Sequence, residues 1–159
     1  MNEDRLATLE RRLAVFEDES AIARIIASYG PLVDAGEAQA VAALWTEDGS
    51  YDVGDWNMSG RAEIIAMVQS GAHQGLMARG ACHFFGPPVI TVDGDEATAV
   101  CQSIILVRRE AGGYHAMRAG VHLLTLRRAE SGWQILTRVA RQLDGGTEAF
   151  DLITEGLPT

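Results

Sequence analysis

Asp34 and His83 are the residues of this 159-residue chain best suited by type to moving a proton. An imidazole titrates near neutral pH, and a carboxylate that accepts the proton of one ring nitrogen fixes the tautomer and leaves the other nitrogen as a base. Such a pair can take a proton from carbon. Each residue also has an ordinary reading. Asp34 stands before Ala35-Gly36, where a helix end or turn is expected, and His83 can be a half-buried strand histidine. The two lie far apart in sequence, so folded elements must bring them together.

Those elements can be read from periodicity. Apolar residues recur at helical intervals from Leu6 to Val33, through Leu9, Leu13, Phe16, Ile22, Ile25, Ile26, Tyr29 and Leu32. This predicts helix in two pieces, the second capped by Asp18 or Ser20. Gly30-Pro31 is expected to disturb the ladder, since glycine is a poor helix former and proline lacks the N–H that bonds backwards. A short helix over 37–45, a strand near 50–53 and a third helix over 60–70 follow. After Gly80 the pattern turns to alternating, β-branched segments at 79–92, 96–109, 114–128 and 133–143. Their connections, Asp93-Gly94-Asp95, Ala111-Gly112-Gly113 and Glu130-Ser131-Gly132, are short enough for antiparallel neighbours. The layout is α+β, with one domain over 1–145 and a tail over 146–159 that has no clear role.

Composition narrows the function. Hydrophobic residues make up 47% of the chain, enough for one domain with a real core. The formal net charge of −9, with 13 Lys and Arg in all, argues against a nucleic-acid or anionic-membrane surface. No apolar run reaches the roughly 18 residues of a membrane span, and the N-terminus has no secretory pattern, so a cytoplasmic protein is expected. Cys82 and Cys101 lack metal-ligand spacing and read as buried, reduced thiols. With no glycine-rich phosphate loop after a strand and no recognised ligand motif among His73, His83, His115 and His122, no cofactor or metal is expected.

Four segments together carry a resemblance: Ala27 to Gly36, the Leu44-Trp45-Thr46-Glu47-Asp48-Gly49 turn, Cys82 to Ile90, and the closing Gly132-Trp133-Gln134-Ile135. In order and spacing, over about residues 4–145, the chain resembles the SnoaL-like branch of the nuclear transport factor 2-like (NTF2-like) superfamily. That branch contains scytalone dehydratase, hexachlorocyclohexane dehydrochlorinase and bile acid 7α-dehydratase. The resemblance implies a cone-shaped α+β barrel, with N-terminal helices packed in the concave face of a strongly curved, mostly antiparallel sheet. It also implies a lyase-like site in which Asp34 and His83 match the family's Asp and His, and Tyr29 matches the tyrosine that bile acid 7α-dehydratase has five residues before its Asp. On an ideal helix, residues five apart lie about 140° out of line, so an irregularity at Gly30-Pro31 is expected to bring Tyr29 and Asp34 to one cavity.

Further candidates follow. Arg138 stands where the dehydrochlorinase has a pocket arginine, and Arg141 falls nearer the arginine of the bile acid enzyme. Three apart on a strand, they should face opposite sides, and an inward arginine needs a partner such as Asp34 or a substrate oxygen. His122 interrupts Val121-Leu123-Leu124 and lines the pocket if its face is concave, whereas His73 and His115 read as surface residues. Phe85, Trp56 and Met58, with Phe84, Met67 and Met77, offer apolar surface for a cyclic ligand, although any one of them can be ordinary core.

The expectation is a cofactor-independent lyase or dehydratase that uses an Asp-His base on a small hydrophobic cyclic compound. An isomerase or polyketide cyclase would use the same base. The fold also serves non-catalytic binding or assembly modules, such as the small subunits of ring-hydroxylating dioxygenases. Family members commonly associate through the outer sheet face, which implies a homodimer or homotrimer.

Overall fold

The helical spacing that begins near Leu6 runs without a break into Asp34. The computed structural model of the protein describes residues 2–158. Its first element, α1 (Asn2–Asp34), is one helix and not two pieces. Pro31 sits in the last turn with its ring exposed, so its missing N–H costs one ladder position only. Asp18 does not cap a second piece. It accepts both Arg128 Nη groups at 2.7 Å and Trp133 Nε1 at 2.9 Å, and so pins the helix to the sheet. Beyond this anchor Ile22, Ile26, Tyr29 and Val33 are buried at alternating four- and three-residue steps. The helix ends in a Schellman turn: Gly36, at φ +72°, donates to Val33 O, and Glu37 N donates to Leu32 O.

The chain continues through α2 (Ala38–Ala43), β1 (Trp45–Asp52), β2 (Asn57–Ser59), α3 (Gly60–Gln69) and α4 (Gly71–Ala78). Then come β3 (Ala81–Phe85), β4 (Val89–Asp93), β5 (Glu96–Arg108), β6 (Tyr114–Ala129), β7 (Gly132–Gln142) and α5 (Thr147–Gly156). The sheet runs β2-β1-β7-β6-β5-β3, with β4 also paired to β5. All pairs are antiparallel except β1 with β7. The strand expected over 79–92 is two strands. Gly86-Pro87-Pro88 breaks it, and β3 and β4 take successive lengths of the same β5 edge.

One core holds buried residues from α1, α2, α3, β1, β2, β5, β6 and β7, so the open sheet must curl around the helices. Bulges assist the curl: Met117 is skipped between β5 and β6, and Leu136 between β6 and β7. Strand parity separates the faces. Ala97, Ala99 and Cys101 of β5 point to the helices, whereas Val100, with Val121 and Leu123 of β6, points outward. The segment expected to be a tail forms α5, whose Ala149, Leu152 and Ile153 cover that outer patch. Cys101 is buried, and burial pushes its thiol up to about 11. Cys82 corrects the expectation of a second buried thiol, because its place on β3 turns it to solvent.

Candidate active site

α1 and β3 meet at one close contact. A Cβ added to Gly30 would lie 2.1 Å from the carbonyl oxygen of His83, so only glycine lets the helix approach β3 this closely. One turn further on, Asp34 meets the same residue of β3. Its Oδ2 accepts the backbone N–H of His83 at 2.9 Å, and its Oδ1 lies 2.6 Å from His83 Nδ1. A carboxylate oxygen only accepts, so Nδ1 carries the hydrogen and Nε2 carries the lone pair. Among the described residues Nε2 has no hydrogen-bond partner, and the ring borders a cavity of about 290 Å³.

The cavity explains why no helix irregularity is required. Tyr29 lines it directly, whereas Asp34 holds the far side of the His83 ring and is not part of the wall. The two side chains leave the helix in different directions, Tyr29 toward the cavity and Asp34 toward His83, as their angular separation on a helix dictates. The wall is mostly apolar, from Tyr51, Val53, Trp56, Met58, Met67, Leu76, Ile105 and Met117. Met58 is wholly buried and Trp56 is about half exposed at the rim.

His83 is subject to opposed forces. Burial, the largest, pushes its pKa below the ordinary histidine value, while the hydrogen bond and charge of Asp34 push it up. Burial wins, so the ring is a neutral base at neutral pH. Asp34 raises the basicity of the ring by its own contribution, but the net shift is downward. Tyr29 is held well above the ordinary tyrosine range by burial and keeps its hydroxyl proton as a donor.

Arg138 departs from expectation. It is 2% exposed, yet no carboxylate partners it among the described residues, Asp34 included. Its guanidinium lies 3.9 Å from the Tyr29 ring centroid, 4.4 Å from that of Tyr51 and 5.0 Å from that of Phe85. The quadrupoles of these rings face the cation. Nε and Nη2 donate to His122 Nδ1 at 3.3 and 3.2 Å, which places the ring hydrogen on Nε2, donating to Ser103 Oγ at 2.7 Å. Burial and Arg138 push the His122 pKa well below the ordinary value, so this ring stays neutral. His122 does not line the dyad cavity. It borders an adjoining polar cleft that shares Val53 and Arg118 with it. Phe85 stands behind Tyr29 as an aromatic support, with ring centroids 5.4 Å apart and their planes at 82°, and not in the cavity wall.

Arg141, on the other strand face from Arg138, borders that polar cleft and is held by Asp52 at 2.9 Å and Glu148 at 2.8 Å. The structure does not bring it to the dyad. His73, expected at the surface, is buried: α4, absent from the expected elements, places it in the cavity wall. Its Nε2 donates to Val33 O at 3.1 Å, and its ring centroid lies 5.8 Å from that of His83. A Ser70 cap followed by His73, Leu76 and Met77 at helical spacing was the available signal. His115 is half-buried, not a free surface residue. Arg118, at the rim, is exposed and forms no ion pair among the described residues. Among the described residues no three His, Cys, Asp or Glu side chains converge to hold a metal ion, and no helix is long and apolar enough to cross a membrane.

No curated protein matches the chain. Among solved structures it is similar to an NTF2-like protein with a cystatin-like fold from Novosphingobium aromaticivorans, at 40% identity over 93% of this chain and 96% of that one, with a TM-score of 0.90. In fold it is also similar to a protein described as the beta subunit of an aromatic-ring-hydroxylating dioxygenase from the same organism. That match has 19% identity over 82% of this chain and 91% of the other, with a TM-score of 0.66. The SnoaL-like domain matches residues 14–139, from α1 before its anchor to the buried strand that carries Arg138. The chain therefore belongs to the SnoaL-like domain family, with the NTF2-like, curled α+β fold.

Proposed function

We propose that the protein is a lyase of the dehydratase type, in which His83 removes a carbon-bound proton from a small, largely apolar cyclic substrate. The observation that carries this reading is the 2.6 Å contact between Asp34 and His83, with the free ring nitrogen on an apolar-walled cavity. Nε2 takes the proton and the C–H electron pair becomes a C=C bond. The neighbouring C–O bond breaks, and the departing hydroxyl leaves as water with the proton from the imidazolium. Atoms and charge balance with no further reactant. If the proton is returned to another carbon, the same base gives an isomerase, so the proton's fate separates these two readings. Tyr29 donates to the substrate oxygen where negative charge develops, and Arg138, behind the Tyr29 ring, favours that charge.

An assembly module of the dioxygenase small-subunit kind needs neither an oriented histidine nor a void beside it, and a small-molecule-binding module needs the void but not the oriented histidine. The orientation of His83 by Asp34 therefore favours the enzyme. The test is exchange in deuterium oxide with a panel of cyclic ketones and β-hydroxy ketones, followed by NMR. Incorporation at carbon next to the carbonyl, or loss of water, is the expected result. A panel member that saturates the cavity yet shows neither would overturn the proposal.

The pH dependence has a definite sign. Since the pKa of His83 lies below the ordinary value, kcat/KM rises as that group loses its proton, with its midpoint below the ordinary histidine range, and is flat above about pH 7.5. Stability follows the same direction. His83 and His122 bind protons less readily folded than unfolded, so the stability present above the ordinary histidine range is lost as pH falls through the depressed values. A pH-rate profile still climbing beyond about pH 7.5 would mean a different base.

A further inference from the structure

The first half of α1 projects from the body. Residues from Glu3 to Glu17 are almost all exposed, and among the described residues the first hydrogen bond from the helix to the sheet comes from Asp18. Along this free stretch Leu6, Leu9, Leu13 and Phe16 are 57%, 49%, 57% and 68% exposed. Their steps of three, four and three residues form a single stripe with the 3.5-residue period of a coiled-coil seam. Single exposed apolar residues need no explanation, but an aligned stripe of four on a projecting helix leaves apolar surface that association would remove from water.

The charges beside the stripe identify the occupant. Arg5 and Arg12 flank it on one side, and Glu10 and Glu17 on the other. Among the described residues none of the four forms an ion pair within the chain. In a parallel, in-register pair of helices, the position before one seam residue faces the position five residues later on the partner. Arg5 then meets the partner's Glu10, and Arg12 meets the partner's Glu17, twice each by symmetry. An antiparallel pair sets arginine against arginine and glutamate against glutamate. We infer that the projecting half of α1 is a dimerisation element that docks a second copy of this chain as a short, parallel, two-stranded coiled coil. The outer sheet face, where family resemblance places association, is partly covered by α5 over Val100, Val121 and Leu123.

The test is sedimentation equilibrium of the full chain at about 100 μM, which saturates a micromolar Kd. The expected mass is that of two chains, reduced to one chain in L9E/L13E. Circular dichroism melts check that the body stays folded. E10R/E17R should also be monomeric, and adding R5E/R12E to it should restore the dimer. In a C82S background, L9C should form an intermolecular disulfide on mild oxidation, because the same position faces itself only in a parallel pair. A monomeric wild type, a dimer indifferent to L9E/L13E, or a mixture of L9C and L13C chains that cross-links when neither does alone would each overturn the inference.

Discussion

Replacing His83 by alanine lowers turnover by about 10²–10⁴-fold, the range that a positioned general base supplies, and leaves the fold intact. The ring is about one-tenth exposed and Asp34 about one-fifth, so removing the imidazole opens the carboxylate to water and does not strand a sealed charge. The backbone N–H of His83 still donates to Asp34 Oδ2, which keeps α1 and β3 in register. The measurement is steady-state turnover of the substrate found by exchange, beside a thermal melt. Unchanged kcat in H83A would remove the base from the mechanism. Asp34→Asn probes the same pair more finely. The carboxylate accepts two N–H groups from one residue, and an amide has a single acceptor oxygen. Either the backbone bond is lost, or the amide donates to Nδ1 and places the hydrogen on Nε2, the wrong nitrogen. A loss of up to about 10⁴-fold follows where tautomer control is complete.

Gly30→Ala destabilises the protein by about 3 kcal/mol, the upper end of ordinary overpacking. For a chain of this length that corresponds to a fall in Tm of about 10 °C. Helix propensity alone predicts the opposite sign, a gain of about 1 kcal/mol on exchanging an interior glycine for alanine. The contact decides it. The obstructing atom is a backbone carbonyl oxygen, 2.1 Å from the new methyl, and it cannot rotate away as a side chain would. Either α1 or β3 must shift, and both carry the dyad, so kcat falls together with Tm. A melt at or above the wild-type temperature would contradict the packing argument.

Gly30 also shows where sequence reading stops. Its poor helix propensity is local and visible, and it suggested a break. Its reason for being glycine lies in β3, remote in sequence, and is invisible without the fold. The same holds for Arg138, whose neighbours Tyr29, Tyr51 and Phe85 come from three separate elements. A carboxylate partner was the natural expectation for a buried cation, and aromatic faces with a neutral histidine replaced it. His73 escaped because Gly71 and Gly75 punctuate α4 and read as loop. The helix α5 was missed: Ala149, Leu152, Ile153 and Gly156 follow helical spacing, but Gly145-Gly146 before them reads as the end of the ordered elements. The α+β layout, the long strands and the Asp34 and His83 candidates were readable because they rest on periodicity and an ordered set of motifs.

β3 is an outermost strand, joined to β5 along one side only. Backbone groups on such a margin can recruit strands from other molecules, the first step toward aggregation. Here Asp34 occupies the outward N–H of His83, while Gly30 brings α1 over the adjoining carbonyl. The carboxylate that orients the His83 ring thus also shields the sheet margin from intermolecular strand addition. Variants at position 34 should lose solubility as well as rate.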